Sequence, residues 1–256
     1  MFAAQRIEII KDFLIKNKTA DISTLTSILN VSDVTVRKDL DKLEKDKFLL
    51  KIHGGAVLCE TETTETISRI NISNHTAKSK IAELALTLIE EDDSIFIGPG
   101  STCFLLSQNI KRLKGISVVT NNVAVSNEVM GSIKRTYLLG GELKDINGIP
   151  YTSDAASLES LSKIFVNKAF ISIDGIDLKA GITCNTLNKA NLINFISNIS
   201  KTLIVLADNE KFDHIGMYQA ASLESISCVV TNRCDLDEYK RTFFEKNIKL
   251  LTTFDI

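Results

Sequence analysis

The chain has 256 residues, 44% of them hydrophobic and 24% charged, with 30 Lys and Arg against 32 Asp and Glu; it can bury one large or two moderate cores, and this composition excludes a disordered chain. The longest charge-free stretch, Ser94 to Ile110, is broken by Gly98, Pro99 and Gly100, and the amino terminus is rich in charge. Neither a transmembrane helix nor a secretory signal is therefore expected, and the chain is expected to be cytoplasmic with no membrane partner. Five scattered cysteines without a CxxC, and three histidines, suit buried thiols rather than a disulfide framework or zinc site; no metal and no cofactor are expected.

Taken in chain order, the first residues have helical spacing: Ile7, Ile10 and Leu14, then Leu25, Ile28 and Leu29. A second helix is expected to start near Asp21, a plausible N-cap. Asn30-Val31-Ser32 makes a short turn, and a third helix from Ser32 or Asp33 carries Val36, Leu40 and Leu43 on its inner face. Its outer face presents Thr35, Lys38 and Lys42, with Arg37 to the side. The run from Phe48 to Val57 reads as two short strands turning at Gly54-Gly55, a small wing. Residues 1–58 are thus expected to form one domain. They hold 10 Lys and Arg against 8 Asp and Glu, the remainder 20 against 24, and none of the 12 glycines precedes Gly54.

Residues 59–74 are polar, with little periodicity, and read as a linker. From 75 to 256 short apolar runs alternate with helical patterns. The strands are expected at Ser94–Ile97, Ile116–Thr120, Thr136–Leu139, Lys168–Ile173, Thr202–Ala207 and Ser225–Val230. This is an α/β domain with a mostly parallel sheet, whose ligands sit beyond the carboxyl ends of the strands.

A short helix, a tight turn and a second helix with a cationic outer face suit the major groove of DNA. Ser32 caps the helix and offers its backbone N–H to a phosphate, Thr35 and Arg37 are near enough to reach base edges, and Lys38 suits a phosphate. The same charges could instead pair with Asp33, Asp39 or Asp41 on a solvated face. The stretch Val31-Ser32-Asp33-Val34-Thr35-Val36-Arg37-Lys38-Asp39-Leu40, with Leu43 and then His53-Gly54-Gly55-Ala56, resembles the DNA-binding signature of the DeoR-type repressors of bacterial sugar operons. The resemblance implies a winged helix-turn-helix on double-stranded operator DNA, with Lys51 and His53 of the wing near its backbone. Lys47-Phe48 replaces the family's usual Gly-Leu ahead of the wing.

In the second half, Phe96-Ile97-Gly98-Pro99-Gly100-Ser101-Thr102 ends a strand and opens a helix. Glycines let the backbone approach an anion, and the helix N-terminus with the hydroxyls of Ser101 and Thr102 donates to it. Thr120-Asn121-Asn122, Gly140-Gly141, Asp174-Gly175 and Asp208 with Lys211 follow the next four strands, so five strand ends are expected at one crevice. The runs V-V-T-N, L-L-G-G, N-K-A-F-I-S-I-D-G-I and L-A-D-N-E-K-F are similar to the DeoR-type sensor domain, itself similar to ribose-5-phosphate isomerase. What the resemblance implies is a phosphorylated sugar or polyol effector, with Gly98, Gly100, Ser101, Thr102 and Lys211 around phosphate, Asp174 on sugar hydroxyls, and Asn121, Gly140 and Gly175 nearby. Two departures stand out. Gly98 replaces an acid common in the family, and the region of its usual acidic and basic pair holds Asn188-Lys189 and Ile193-Asn194, which removes a cationic effector contact at Ile193.

A transcriptional repressor of a carbohydrate-utilisation operon is therefore expected, not an enzyme, assembled as a homo-oligomer, dimer or tetramer, since paired readers span two half-sites. A sugar-phosphate isomerase with a DNA-binding appendage is the alternative. There Asp174 and Asp177 survive from the isomerase pattern while Leu178 replaces its next acid. A third reading has the α/β domain serving oligomerisation alone.

Overall fold

The computed structural model of the chain describes residues 3–45, 48–52, 54–58, 72–146, 148–153, 158–159, 161–233 and 235–253. Contacts divide it into two compact units, Met1–Arg69 and Ile70–Ile256.

In the first unit, helices α1 (Ala3–Asn17), α2 (Ile22–Leu29) and α3 (Asp33–Lys45) precede strands β2 (Leu49–Ile52) and β3 (Gly55–Leu58). The Asp21 side chain caps α2 as expected, accepting from the Thr24 N–H at 2.7 Å. Asn30, in the left-handed region at φ 50°, ends the helix and turns the chain into α3. Residues Ile10, Leu14, Leu25, Leu29, Val36, Leu40 and Leu43 are buried together with Leu49, Ala56 and Leu58 of the wing. Each large side chain so buried contributes about 1.5–3 kcal/mol. A strand absent from the sequence reading, β1 (Thr19–Asp21), pairs antiparallel with β3. It accounts for the second wing glycine, since a Cβ on Gly55 would lie 2.3 Å from the Ala20 carbonyl oxygen. Gly54 makes the turn itself at φ 85°.

The second unit is built on a seven-stranded sheet in which every neighbouring pair is parallel. Its strands are β4 (Ser94–Ile97), β5 (Ser117–Thr120), β6 (Arg135–Leu138), β9 (Val166–Ser172), β12 (Ser200–Leu206), β14 (Cys228–Thr231) and β15 (Lys249–Thr252), in the order β15-β14-β12-β9-β4-β5-β6. Side chains alternate between two cores. Ala169, Ile171, Leu203, Val205 and Val229 face one, under helices α7 (Leu187–Ile199) and α8 (Asp237–Glu245). Phe170, Ile204, Leu206 and Val230 face the other, under α4 (His75–Leu86), α5 (Ser101–Ile110) and α6 (Val123–Val129). Burial on both faces is why these strands read as unbroken apolar runs.

Three features depart from the sequence reading. The last expected strand begins three residues later, at Cys228, because Leu223–Ser225 closes a 3-10 turn. β15 extends the sheet beyond it. A hairpin of β7 (Glu142–Ile146) and β8 (Ile149–Ser153) and a small sheet of β10 (Gly175–Asp177), β11 (Gly181–Cys184) and β13 (Tyr218–Ala221) are added to the parallel core. Cys103, Cys184 and Cys228 are buried thiols, while Cys59 and Cys234 lie outside the described residues. Among the described residues no helix is long and apolar enough to cross a membrane.

Candidate functional site

Helix α3 presents its outer face to solvent. Ser32, Arg37, Lys38 and Lys42 are exposed and Thr35 half-exposed, while Val36, Leu40 and Leu43 are buried. The Ser32 carbonyl accepts from the N–H groups of Thr35 and Val36 at 2.9 and 3.1 Å, and its hydroxyl lies 3.0 Å from that of Thr35. Arg37 pairs with Asp33 one turn earlier, Nε to Oδ1 3.2 Å, with both side chains more than half exposed. Such a pair is worth at most about 1 kcal/mol, less than the ~1–3 kcal/mol of a bidentate base contact, so it orients Arg37 without committing it. Lys38 makes no ion pair with a described residue. Of the three aspartates considered as partners, Asp39 is buried and holds Arg6 of α1 at 2.7 Å, a tie that fastens α3 to α1. Asp41 takes Lys51 of the wing. His53 lies outside the described residues.

In the second unit the strand order reverses between β4 and β9, the place where doubly wound sheets open a crevice. A cleft of about 130 Å³ lies there, beyond the ends of β4, β9 and β12. Gly100, Ser101 and Thr102 line it from the start of α5, with Asp174 after β9 and Lys211 after β12. Gly100 stands at φ 112°, and a Cβ would come within 3.0 Å of Ser172, so only glycine carries the chain into α5 here. The first N–H groups of α5 have no acceptor within the helix and point out of its N-terminus. Asp208 caps the 3-10 turn Asn209–Lys211 by accepting from the Glu210 N–H at 3.2 Å. Lys211, at the end of that turn, makes no ion pair with a described residue.

The other expected residues stand elsewhere. Gly98 is buried behind the cleft, its N–H donating to the Phe170 carbonyl at 2.9 Å. Asn121 lines a smaller neighbouring cavity of about 70 Å³ with Pro99, Tyr151 and Lys189. Its Nδ2 donates to the Thr152 carbonyl at 2.8 Å, and its Oδ1 is buried without a partner among the described residues. Gly140 is exposed after β6, two strands and about 10 Å from β4. Gly175 packs against the His214 backbone, where a Cβ would lie 2.1 Å from the carbonyl oxygen. Three strand ends, not five, therefore meet at the cleft, because β5 and β6 run out toward the sheet edge.

Two lysines that the sequence reading did not select also line the cleft. Lys189, on the first turn of α7, donates to Asp174 Oδ1 at 2.7 Å. Burial raises the cost of charge on Asp174, but Lys189, the Asn185 N–H at 2.9 Å and the nearby Lys211 more than offset it and hold its pKa below the ordinary aspartate value. Ile193, where a lost cationic contact was expected, is instead a core residue, 1% exposed. One turn earlier on α7, Lys189 is the cation that lines the cleft. Lys78 of α4 approaches Asp208 at 3.6 Å. Three ammonium groups, two carboxylates and a helix N-terminus make a cleft of net positive charge that also offers carboxylate acceptors. Asp177 is turned away, accepting from the Lys179 and Ala180 N–H groups at 2.8 Å each to close the β10–β11 turn.

Comparison with known families matches residues 6–62 to the DeoR-like helix-turn-helix domain and residues 73–233 to the DeoR C terminal sensor domain. The chain belongs to the DeoR family. As a DeoR-family member it is a transcriptional regulator with an amino-terminal DNA-binding domain and a carboxy-terminal sensor domain. It is 30% identical over 97% of its length to the HTH-type transcriptional regulator FruR of Bacillus subtilis, all of which is covered. It is 33% identical to the lactose phosphotransferase system repressor of Lactococcus lactis, over 82% of this chain and 83% of that one. Among solved structures, a ribose-5-phosphate isomerase in complex with phospho-erythronic acid matches 55% of each chain at 17% identity and a TM-score of 0.40.

Proposed function

We propose that this DeoR-family chain is a cytoplasmic repressor of a carbohydrate-utilisation operon, released from or held on its operator by a phosphorylated sugar or polyol. Residues 1–58 read double-stranded DNA, 59–74 connect, and 75–256 sense and assemble an even-numbered homo-oligomer. On α3, Arg37 and Thr35 take base edges while Ser32 and Lys38 take phosphates, with Lys51 and His53 on the flanking backbone. In the cleft, Lys211 and the α5 N-terminus with Ser101 and Thr102 hold the effector's phosphate, and Asp174 accepts from sugar hydroxyls.

The observation that carries this reading is Lys211, a cation without an ion-pair partner among the described residues, in the same cleft as the glycine-led N-terminus of α5. Such a site attracts a dianion. Binding that differs between two states of the protein shifts its DNA affinity by the same factor that DNA shifts effector affinity. The test is titration of the full chain against labelled DNA from its own operon's upstream region and against random DNA, at moderate salt. Preference for the upstream DNA is expected; equal affinity for both would refute the reading.

A further inference from the structure

Lys78 lies in the opening turn of α4, the first helix of the sensor unit. It is 8% exposed and its partner Asp208 only 2%. Besides approaching Asp208 at 3.6 Å, its Nζ donates to the Ser73 hydroxyl at 3.2 Å. Ser73 lies in the last residues of the connector, and this is its side chain's one hydrogen bond among the described residues. The next residue, Asn74, sits at φ 55° and gives α4 no side-chain cap. A single ammonium thus touches the acidic wall of the cleft, the cleft interior and the segment from which the chain runs back to the DNA-binding unit.

Neither contact is strong. At 3.6 Å the pair with Asp208 is too long for a good hydrogen bond, and the bond to Ser73 is to a neutral oxygen. A phosphate oxygen in the cleft offers a charged acceptor at about 2.7–2.9 Å. Resting on the reading of the cleft as a phosphosugar site, we propose that Lys78 is a further phosphate ligand, and that turning to the phosphate withdraws its bond from Ser73 and frees the end of the connector next to α4. Lys211 and the α5 N-terminus hold the anion; Lys78 reports it. The two states then differ in a specific contact, Lys78 to Ser73 when empty and Lys78 to phosphate when loaded, as a population shift requires.

The experiment is amide hydrogen exchange over residues 72–79 of the full chain, with and without inorganic phosphate, with phosphate binding followed by calorimetry. In the unmodified chain phosphate is expected to speed exchange there roughly two- to tenfold, the equivalent of one lost hydrogen bond. Ser73→Ala should exchange at the faster rate without phosphate and gain nothing from it. Lys78→Gln should bind phosphate roughly tenfold or more weakly, the loss of a charge-assisted bond. Should Lys78→Gln fail to fold, the unmodified chain and Ser73→Ala decide the matter. Phosphate that binds, is lost in Lys211→Met, and leaves exchange over 72–79 unchanged would overturn the inference and leave the cleft reading intact. Absence of phosphate binding would overturn both.

Discussion

Lys189 holds Asp174 at 2.7 Å, joining the first turn of α7 to the end of β9 within the cleft. The pair keeps an acceptor-only carboxylate ionised beside the space where a sugar would lie. It also ties stability to pH. Because the folded Asp174 has a pKa below its unfolded value of about 4, its contribution is complete above that value and is lost as pH falls through the folded one. Melting curves of the unmodified chain and Asp174→Asn should therefore differ at pH 7 and converge below about pH 4.

Gly100→Ala places a Cβ within 3.0 Å of Ser172 at a backbone φ of 112°. The substitution should cost about 1–3 kcal/mol in stability, read by urea denaturation, and should weaken phosphosugar binding by shifting the N-terminus of α5. Gly131→Ala is the control: it also has positive φ, but nothing lies within 4 Å of its Cβ, so it should be strained yet leave binding unchanged.

Ile193→Lys tests where the cleft takes its cation. With Ile193 1% exposed in the core, the substitution should destabilise the chain by about 3 kcal/mol or more through a buried unpaired charge. Lys189→Met should instead leave a folded chain with weaker phosphosugar affinity. Improved binding by the Ile193 variant would show that position 193 faces the ligand.

Arg37→Ala should lose about 1–3 kcal/mol of operator binding and little of its binding to random DNA if the guanidinium reads a base. Asp33→Ala, which removes the exposed partner at 3.2 Å, should change operator affinity far less. Equal losses on operator and random DNA for Arg37→Ala would place it on phosphate. Fluorescence anisotropy on both DNAs measures each outcome.

What could be read from the sequence follows from what each residue packs against. The central strands were legible because burial on both faces leaves apolar runs such as Ile95-Phe96-Ile97 and Leu203-Ile204-Val205. The α3 inner face was legible because Val36, Leu40 and Leu43 share one buried stripe. β1, β10 and β11 were not, since three or four residues carry no periodicity, and neither was the half-exposed hairpin β7–β8. In the cleft, the glycine turn and Asp174 announced themselves by lying directly after strands. Lys189 and Lys78 sit in helical patterns, and their reach to Asp174 and Asp208 depends on tertiary packing that no local spacing records. Ile193 misled because a position matched along the sequence fell on the buried side of α7.

The central claim, that the cleft controls the DNA-reading face, is tested most directly by measuring operator affinity of the full chain across a panel of hexose and pentose phosphates and their unphosphorylated sugars. The account predicts that at least one phosphosugar changes operator affinity roughly five- to 150-fold, a coupling of about 1–3 kcal/mol, that its unphosphorylated sugar does not, and that Lys211→Met abolishes the response. Specific operator binding that no phosphosugar alters would contradict it.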